Sequence, residues 1–211
     1  TAAVSGVALR HFAPDLGGRV PTAALIGAGV QGRSHLPVLG YVLPGVALHL
    51  FDRDARRSEA LAAAAQATPG IGAVEIHAAA RDAVQGSDVV LTAASFGPTV
   101  ERQTMTNDWL APGATVIPVD YATYCAAEVA RDAALFLVDQ REQYLANREA
   151  GNFDGYPDPH ATLGEALLAR TARPEGRVVV THLGVGLSDV VFADAILRSA
   201  ESADLGVILP R

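Results

Sequence analysis

The sequence predicts an α/β protein built on a Rossmann-type doubly wound parallel sheet. Three observations carry that expectation. Short apolar runs alternate with helical stretches along most of the chain, which is the pattern of successive βαβ units. A glycine-rich turn, Gly27-Ala28-Gly29-Val30-Gln31-Gly32, directly follows the first apolar run. An acid, Asp52, closes the second run 20 residues after Gly32.

The elements follow in order. Thr1–Phe12 reads as a helix with Ala2, Val4, Val7, Ala8 and Phe12 on one face, ended by Pro14 and Gly17-Gly18. Thr22–Ile26 is an apolar run stopped by glycine, as a buried parallel strand should be. Next come a helix from Gln31 to about Leu39, a strand Val46–Phe51 and an Ala-rich helix Arg57–Ala65. Val74–Ala78 is read as a third strand, Arg81–Gln85 as a short helix and Val89–Ala93 as a fourth strand. Thr115–Val119 and Leu135–Val138 are the fifth and sixth strands, with a helical turn Ala127–Asp132 between them. Gln143–Ala150 and Leu163–Arg170 are helical, Val178–His182 is a strand, Ser188–Ala203 a long helix and Val207–Leu209 a last strand. That last strand has no evident partner in the main sheet. The expected domains are an N-terminal helical segment over 1–20, a dinucleotide-binding domain over 21–186, and a segment over 187–211 that returns to a second domain.

Composition excludes several classes. The 211 residues are 50% hydrophobic and 18% charged, so a packed core is expected. All 16 basic residues are Arg, which excludes a Walker-type phosphate loop and a Schiff-base lysine within this chain. A net charge of −7 suits no nucleic-acid partner. No apolar run reaches the ~18–20 residues of a membrane helix, so no membrane partner is expected. The single cysteine, Cys125, excludes an internal disulfide and a cysteine zinc site, and fits the reducing cytoplasm. The six histidines show no metal-ligand spacing, so no metal is expected. His49 and His77 read as structural; His182, at a strand end, is the histidine to watch.

The glycine turn carries the chemistry. Gly27 allows the tight turn, Gly29 lets a pyrophosphate approach the backbone, and Gly32 lets helix and strand pack closely. The amides at Val30 and Gln31 open the helix N-terminus, where the helix dipole favours phosphate. Asp52 is placed to take ribose hydroxyls, which favours NAD. Arg53, Arg56 and Arg57 either accommodate the extra phosphate of NADP or form a solvated helix start. Thr92, Ala93 and Ser95 follow the fourth strand at the carboxyl edge, where small side chains admit a nicotinamide ribose or simply make a turn. Asp120 ends the fifth strand at the same edge. It is either an acid–base group or the cap of the next turn. Tyr121 and Tyr124 flank its loop, and Cys125 has no activating partner.

Four segments resemble the ornithine cyclodeaminase/mu-crystallin family. Thr1-Ala2-Ala3-Val4-Ser5-Gly6-Val7-Ala8 is similar to its T-A-A-x-S-x-x-A helix. Gly27 to Leu36 is similar to its G-A-G-x-Q-A-x-x-H stretch, with Gly32 in place of the usual Ala. Trp109 to Val116 resembles W-x-x-P-G-x-x-I, and Gly184 to Ala193 resembles the late G-x-A-x-x-D-x-x-x-A motif. The resemblance implies an NAD(P)-dependent enzyme acting on a small amino acid or cyclic imine, by cyclodeamination, imine reduction or amino-acid dehydrogenation. It implies that Gly184 and Asp189 shape the nicotinamide side, that Asp120 is the catalytic acid, and that the full-length protein is a homodimer. It also implies that the substrate-binding Arg and Lys lie in an N-terminal part that precedes Thr1. The Asp120 loop departs from the family's Gly-x-Asp pattern, and Glu128 stands at a slightly longer spacing than its downstream acid. The alternative class is a nucleotide-binding module without turnover, of the crystallin or sensor kind.

Overall fold

A computed structural model describes residues 1–97 and 101–207. Eight parallel strands form one sheet in the order β3-β2-β1-β4-β5-β8-β6-β7. They are β1 Thr22–Ile26, β2 Val46–Phe51, β3 Ile71–Ile76, β4 Val89–Thr92, β5 Thr115–Pro118, β6 Leu135–Val138, β7 Ala161–Thr162 and β8 Val178–Thr181. The helices are α1 Ala2–Phe12, α2 Val30–Val42, α3 Ala55–Gln66, α4 Ala80–Val84, α5 Ala127–Arg131, α6 Arg141–Glu149, α7 Leu163–Leu168 and α8 Gly186–Ser202.

The central strands are buried on both faces, so their side chains divide by the two-residue period into two cores. Ala23, Leu25, Leu91, Ile117, Leu137 and Val180 face one core, with α1, α2 and α3. Ala24, Ile26, Val90, Val116, Phe136 and Val179 face the other, with α4 and α5. This second core ends in an aromatic cluster, in which Phe136 lies edge-on to Tyr144 and Phe153 packs on Tyr144 and Tyr156.

Helix α1 packs into the first core through Ser5, Ala8, Leu9 and Phe12. The expected buried face is half right: Ala8 and Phe12 are enclosed, but Val7 is 40% exposed. The Phe12 carbonyl ends the helix. It accepts the Thr115 hydroxyl at 2.5 Å and Arg173 Nε at 2.9 Å, and Arg173 Nη2 also reaches the Gly113 carbonyl. A cation at a helix C-terminus also meets the negative end of the dipole.

Three readings shift. The third strand begins at Ile71 rather than Val74, because the ladder to β2 starts at Val46↔Ile71. The two-residue β7 was not expected, because two residues carry no pattern. Val207 is not in a strand, and the remainder of the expected last strand, with residues 208–211, lies outside the described residues. No side chain of α8 is buried, and Leu187, Val190, Val191, Phe192, Ile196 and Leu197 are all exposed. No helix among the described residues is long and apolar enough to cross a membrane.

Candidate functional site

The carboxyl ends of β1, β2, β4, β5 and β8 share one edge of the sheet. The strand order reverses between β1 and β4, and ligands of doubly wound sheets bind outside such a switch point. Gly27 leaves β1 with φ +104°. A Cβ there would meet the Ala93 carbonyl oxygen at 2.5 Å. Gly32 lies against the turn itself, where a Cβ would stand 2.1 Å from the Gly27 carbonyl oxygen. Gly29, the α2 N-cap, has open space around it, with nothing within 4 Å of an added Cβ.

The first turn of α2 is left open for an anion. Its first capping bond is Arg33 N–H to the Gly29 carbonyl at 3.0 Å, and among the described residues the amides of Val30, Gln31 and Gly32 find no acceptor. No acid lies in that turn, and no side chain caps it. Four orphan donors are normal for a helix start. Here they sit beside an uncovered glycine, which is the arrangement a phosphate requires.

Asp52 is locked onto the turn. Its Oδ2 accepts the Ala28 amide at 2.7 Å and its Oδ1 the Asp54 amide at 2.9 Å. Each oxygen keeps a second lone pair for a ligand hydroxyl. Asp52, Arg53, Arg57, Ser95 and Tyr124 line the adjoining cleft together with Gly27. The Arg53 guanidinium lies 3.7 Å from Glu101, and both side chains are exposed. Arg56 and Arg57 each lie 3.8 Å from Asp54.

Three buried polar atoms without a hydrogen-bond partner stand at the ends of the neighbouring strands β4, β5 and β8. They are Thr92 Oγ1, Asp120 Oδ1 and His182 Nδ1. Unpaired buried polar atoms are rare, and each needs a reason. The other Asp120 oxygen accepts the Ala94 amide at 3.3 Å. Burial raises the Asp120 carboxyl to about 6, with the nearby amides offsetting only part of the rise. The two residues after it, Tyr121 (φ 53°) and Ala122 (φ 57°), are both left-handed. Backbone of this kind costs ~1–3 kcal/mol per residue and clusters at functional sites. The Thr123 N–H and hydroxyl both return to the Asp120 carbonyl and hold the loop.

His182 belongs to a relay that the sequence does not reveal. Ser5 Oγ lies 2.8 Å from His35 Nε2 and 2.9 Å from His182 Nε2, and His35 Nδ1 lies 2.6 Å from the Gln31 carbonyl. The carbonyl only accepts, so His35 carries its proton on Nδ1. Ser5 then donates to His35 Nε2 and accepts from His182 Nε2–H, and His182 Nδ1 is left as a bare lone pair. Burial beside His35 pushes His182 down to about 3, and it holds His35 below its usual value too. Both rings are therefore neutral at pH 7.

The structure brings Gly27, Gly29, Val30, Gln31, Gly32, Asp52, Arg53, Thr92, Ala93, Ser95 and Asp120 to this edge. Gly184 and Asp189 line no part of the Asp52 cleft, and both are exposed. Gly184 is held by a residue that sequence reasoning missed. Asp139 Oδ2, at the end of β6, accepts the amides of Leu183 and Gly184 at 2.9 and 2.7 Å. Its place at a strand end, like those of Asp52 and Asp120, was the available signal. Cys125 is inert, since burial lifts its thiol to about 12.

Sheet, turn and strand-end acid define a protein of the Rossmann class. The chain belongs to the ornithine cyclodeaminase/mu-crystallin family, whose model matches residues 1–204. It is 29% identical over 215 residues to the nodulation efficiency protein NfeD of Rhizobium meliloti, covering 99% of this chain and 64% of that protein. Its fold is similar to the Thermococcus litoralis Δ1-pyrroline-2-carboxylate reductase solved with NADH and L-proline. The TM-score is 0.80 at 20% identity, covering 99% of this chain and 66% of the other. A lysine cyclodeaminase matches with TM-score 0.79 at 24% identity, covering 98% of this chain and 59% of the other. The chain thus spans about two thirds of the length of such relatives.

Proposed function

We propose that this chain is the cofactor-binding part of an NAD-dependent oxidoreductase acting on a small amino acid or its cyclic imine. The observation that carries the cofactor reading is the Asp52 carboxylate, hydrogen-bonded to the amide inside the Gly27 turn beside the open Gly29 cradle. The amides of Val30, Gln31 and Gly32 hold the pyrophosphate, and Asp52 takes the adenosine ribose hydroxyls. Asp52 repels a 2′-phosphate, which favours NAD over NADP. When bound, the cofactor supplies or accepts hydride; position and field come from the protein. Thr92, Ala93 and Ser95 flank the nicotinamide ribose.

Asp120 is the proposed acid–base residue, with a carboxyl near 6 that can hold or release a proton at neutral pH. Gly184 and Asp189, which stand outside the Asp52 cleft, are assigned to the nicotinamide side by the family resemblance. Family membership and similar reductases, dehydrogenases and cyclodeaminases support the substrate class. They leave ornithine cyclodeamination, imine reduction and amino-acid dehydrogenation as three versions of one proposal. The exposed apolar face of α8 supports a second domain and a homodimer in the whole protein. The unpaired Cys125 supports a cytoplasmic setting. Nucleotide binding without turnover is the second reading, favoured by the near-complete enclosure of Asp120, which is 5% exposed.

The test uses the full-length product, with NADH and NADPH titrated separately and then offered with cyclic imines, or with 2-oxo acids plus ammonia. NADH oxidation with one imine establishes reduction. Ammonia release from L-ornithine without net NADH accumulation establishes cyclodeamination. NADH binding with neither activity selects the binding module, and no NADH binding overturns the cofactor reading.

A further inference from the structure

We propose that His49, Glu75 and His77 form a binding site for a divalent first-row transition-metal ion on the β2–β3 edge of the sheet. The sequence separates these residues by up to 28 positions, and the expectation was that no histidines cluster. The parallel ladder overturns it. His49 and Glu75 are direct register partners across β2 and β3. His77 follows two residues after Glu75, so it projects to the same side, and its amide is still bonded to the Leu50 carbonyl.

The three donor atoms all lie within 4.8 Å of one another, and among the described residues no other three such donors do. His49 Nδ1 and His77 Nε2 face each other at 3.0 Å, with the ring planes 10° apart. Glu75 Oε2 stands 3.9 Å from His77 Nε2. Two imidazoles and a carboxylate are a metal-ligand set in which water completes the coordination.

The geometry narrows the ion. With metal–nitrogen bonds of about 2.05 Å, nitrogens 3.0 Å apart subtend an angle of about 94° at the metal. That is close to the right angle of octahedral or tetragonal coordination. A tetrahedral ion needs the nitrogens about 3.3 Å apart, so the two strands would have to part slightly. Ni(II), Cu(II) and six-coordinate Co(II) all take nitrogen and oxygen donors at such an angle. Glu75 must move inward by roughly 1 Å to reach a ligand distance near 2.1 Å. Its side chain is 67% exposed and free to swing, whereas the backbone of His49 is held by the ladder and that of His77 by its amide bond to the Leu50 carbonyl. Without a metal, the two imidazoles share one proton along the same N···N line.

The test is calorimetric titration of EDTA-treated, dialysed protein with NiCl2, CoCl2 and ZnCl2, beside the His77→Gln, His49→Gln and Glu75→Gln variants. Circular dichroism melts confirm that each variant is folded. The expected result is one ion per chain and weak six-coordinate visible bands for Co(II). Either histidine variant should lose about 100-fold or more in affinity, and Glu75→Gln about tenfold. No binding below millimolar metal overturns the proposal. So does equal binding by wild type and the histidine variants, which would place the ion on other surface histidines.

Discussion

Replacing Asp120 by Asn should stabilise the ligand-free chain at pH 8. Burial raises the carboxyl from 3.8 to about 6. Between those values the folded chain holds a proton that the unfolded chain has lost, so stability falls as pH rises through the window. Above about pH 6 both states are ionised, and the folded state bears the full cost. Two units at ~1.4 kcal/mol each make this about 3 kcal/mol. Asn is neutral at every pH, has the same shape, and still accepts the Ala94 amide. The variant should therefore exceed wild type by about 3 kcal/mol at pH 8 and match it below pH 4. Urea unfolding followed by circular dichroism at pH 4, 6 and 8 measures the difference. A difference independent of pH, or a variant weaker at pH 8, refutes the claim that a buried charge is being relieved. In the full-length protein the proposed role of Asp120 as the proton-moving group predicts a loss of about 10²–10⁴-fold in kcat for the same variant.

Further outcomes follow from the same geometry. Asp52→Asn should weaken NADH about tenfold and narrow the gap to NADPH, read by fluorescence titration. Gly32→Ala should lower the melting temperature, because its Cβ meets the Gly27 carbonyl oxygen at 2.1 Å; an unchanged melt means the turn relaxes freely. His182 is held neutral down to about pH 3, so its contribution is complete above 6.5 and is lost as pH falls below that value. His182→Gln should flatten the acid side of the stability profile, measured by denaturation from pH 7 to 4. Arg173→Ala should cost about 2 kcal/mol by freeing the end of α1, measured by urea unfolding.

How legible the molecule was depended on distance along the chain. The strands β1, β2 and β6 are apolar runs with hard stops, so their limits match the expectation. Strand β3 is an edge strand with mixed burial, and its start is set by pairing with β2, which no local pattern encodes. The Gly27 turn and Asp52 were legible because turn geometry and strand ends are local. The Ser5–His182 bond spans 177 positions, and the His49–His77 pair depends on strand register; both exist only once the sheet is assembled. The Asp120 position was visible, but its enclosure and the left-handed Tyr121-Ala122 pair were not.

The insertion of β8 between β5 and β6 has a consequence for biosynthesis. β5 pairs with β4 and β6 with β7, but β5 and β6 do not pair with each other, and the inner edge of each is closed only by Val178–Thr181. A nascent chain that has emerged as far as α7 therefore carries two half-sheets with bare hydrogen-bonding edges at its centre. These edges stay open until Val178–Thr181 clears the ribosome, an interval in which β-strand addition from another chain competes with closure. Such late, long-range closure makes for slow folding. Premature termination upstream of β8 should give aggregation rather than a smaller folded product.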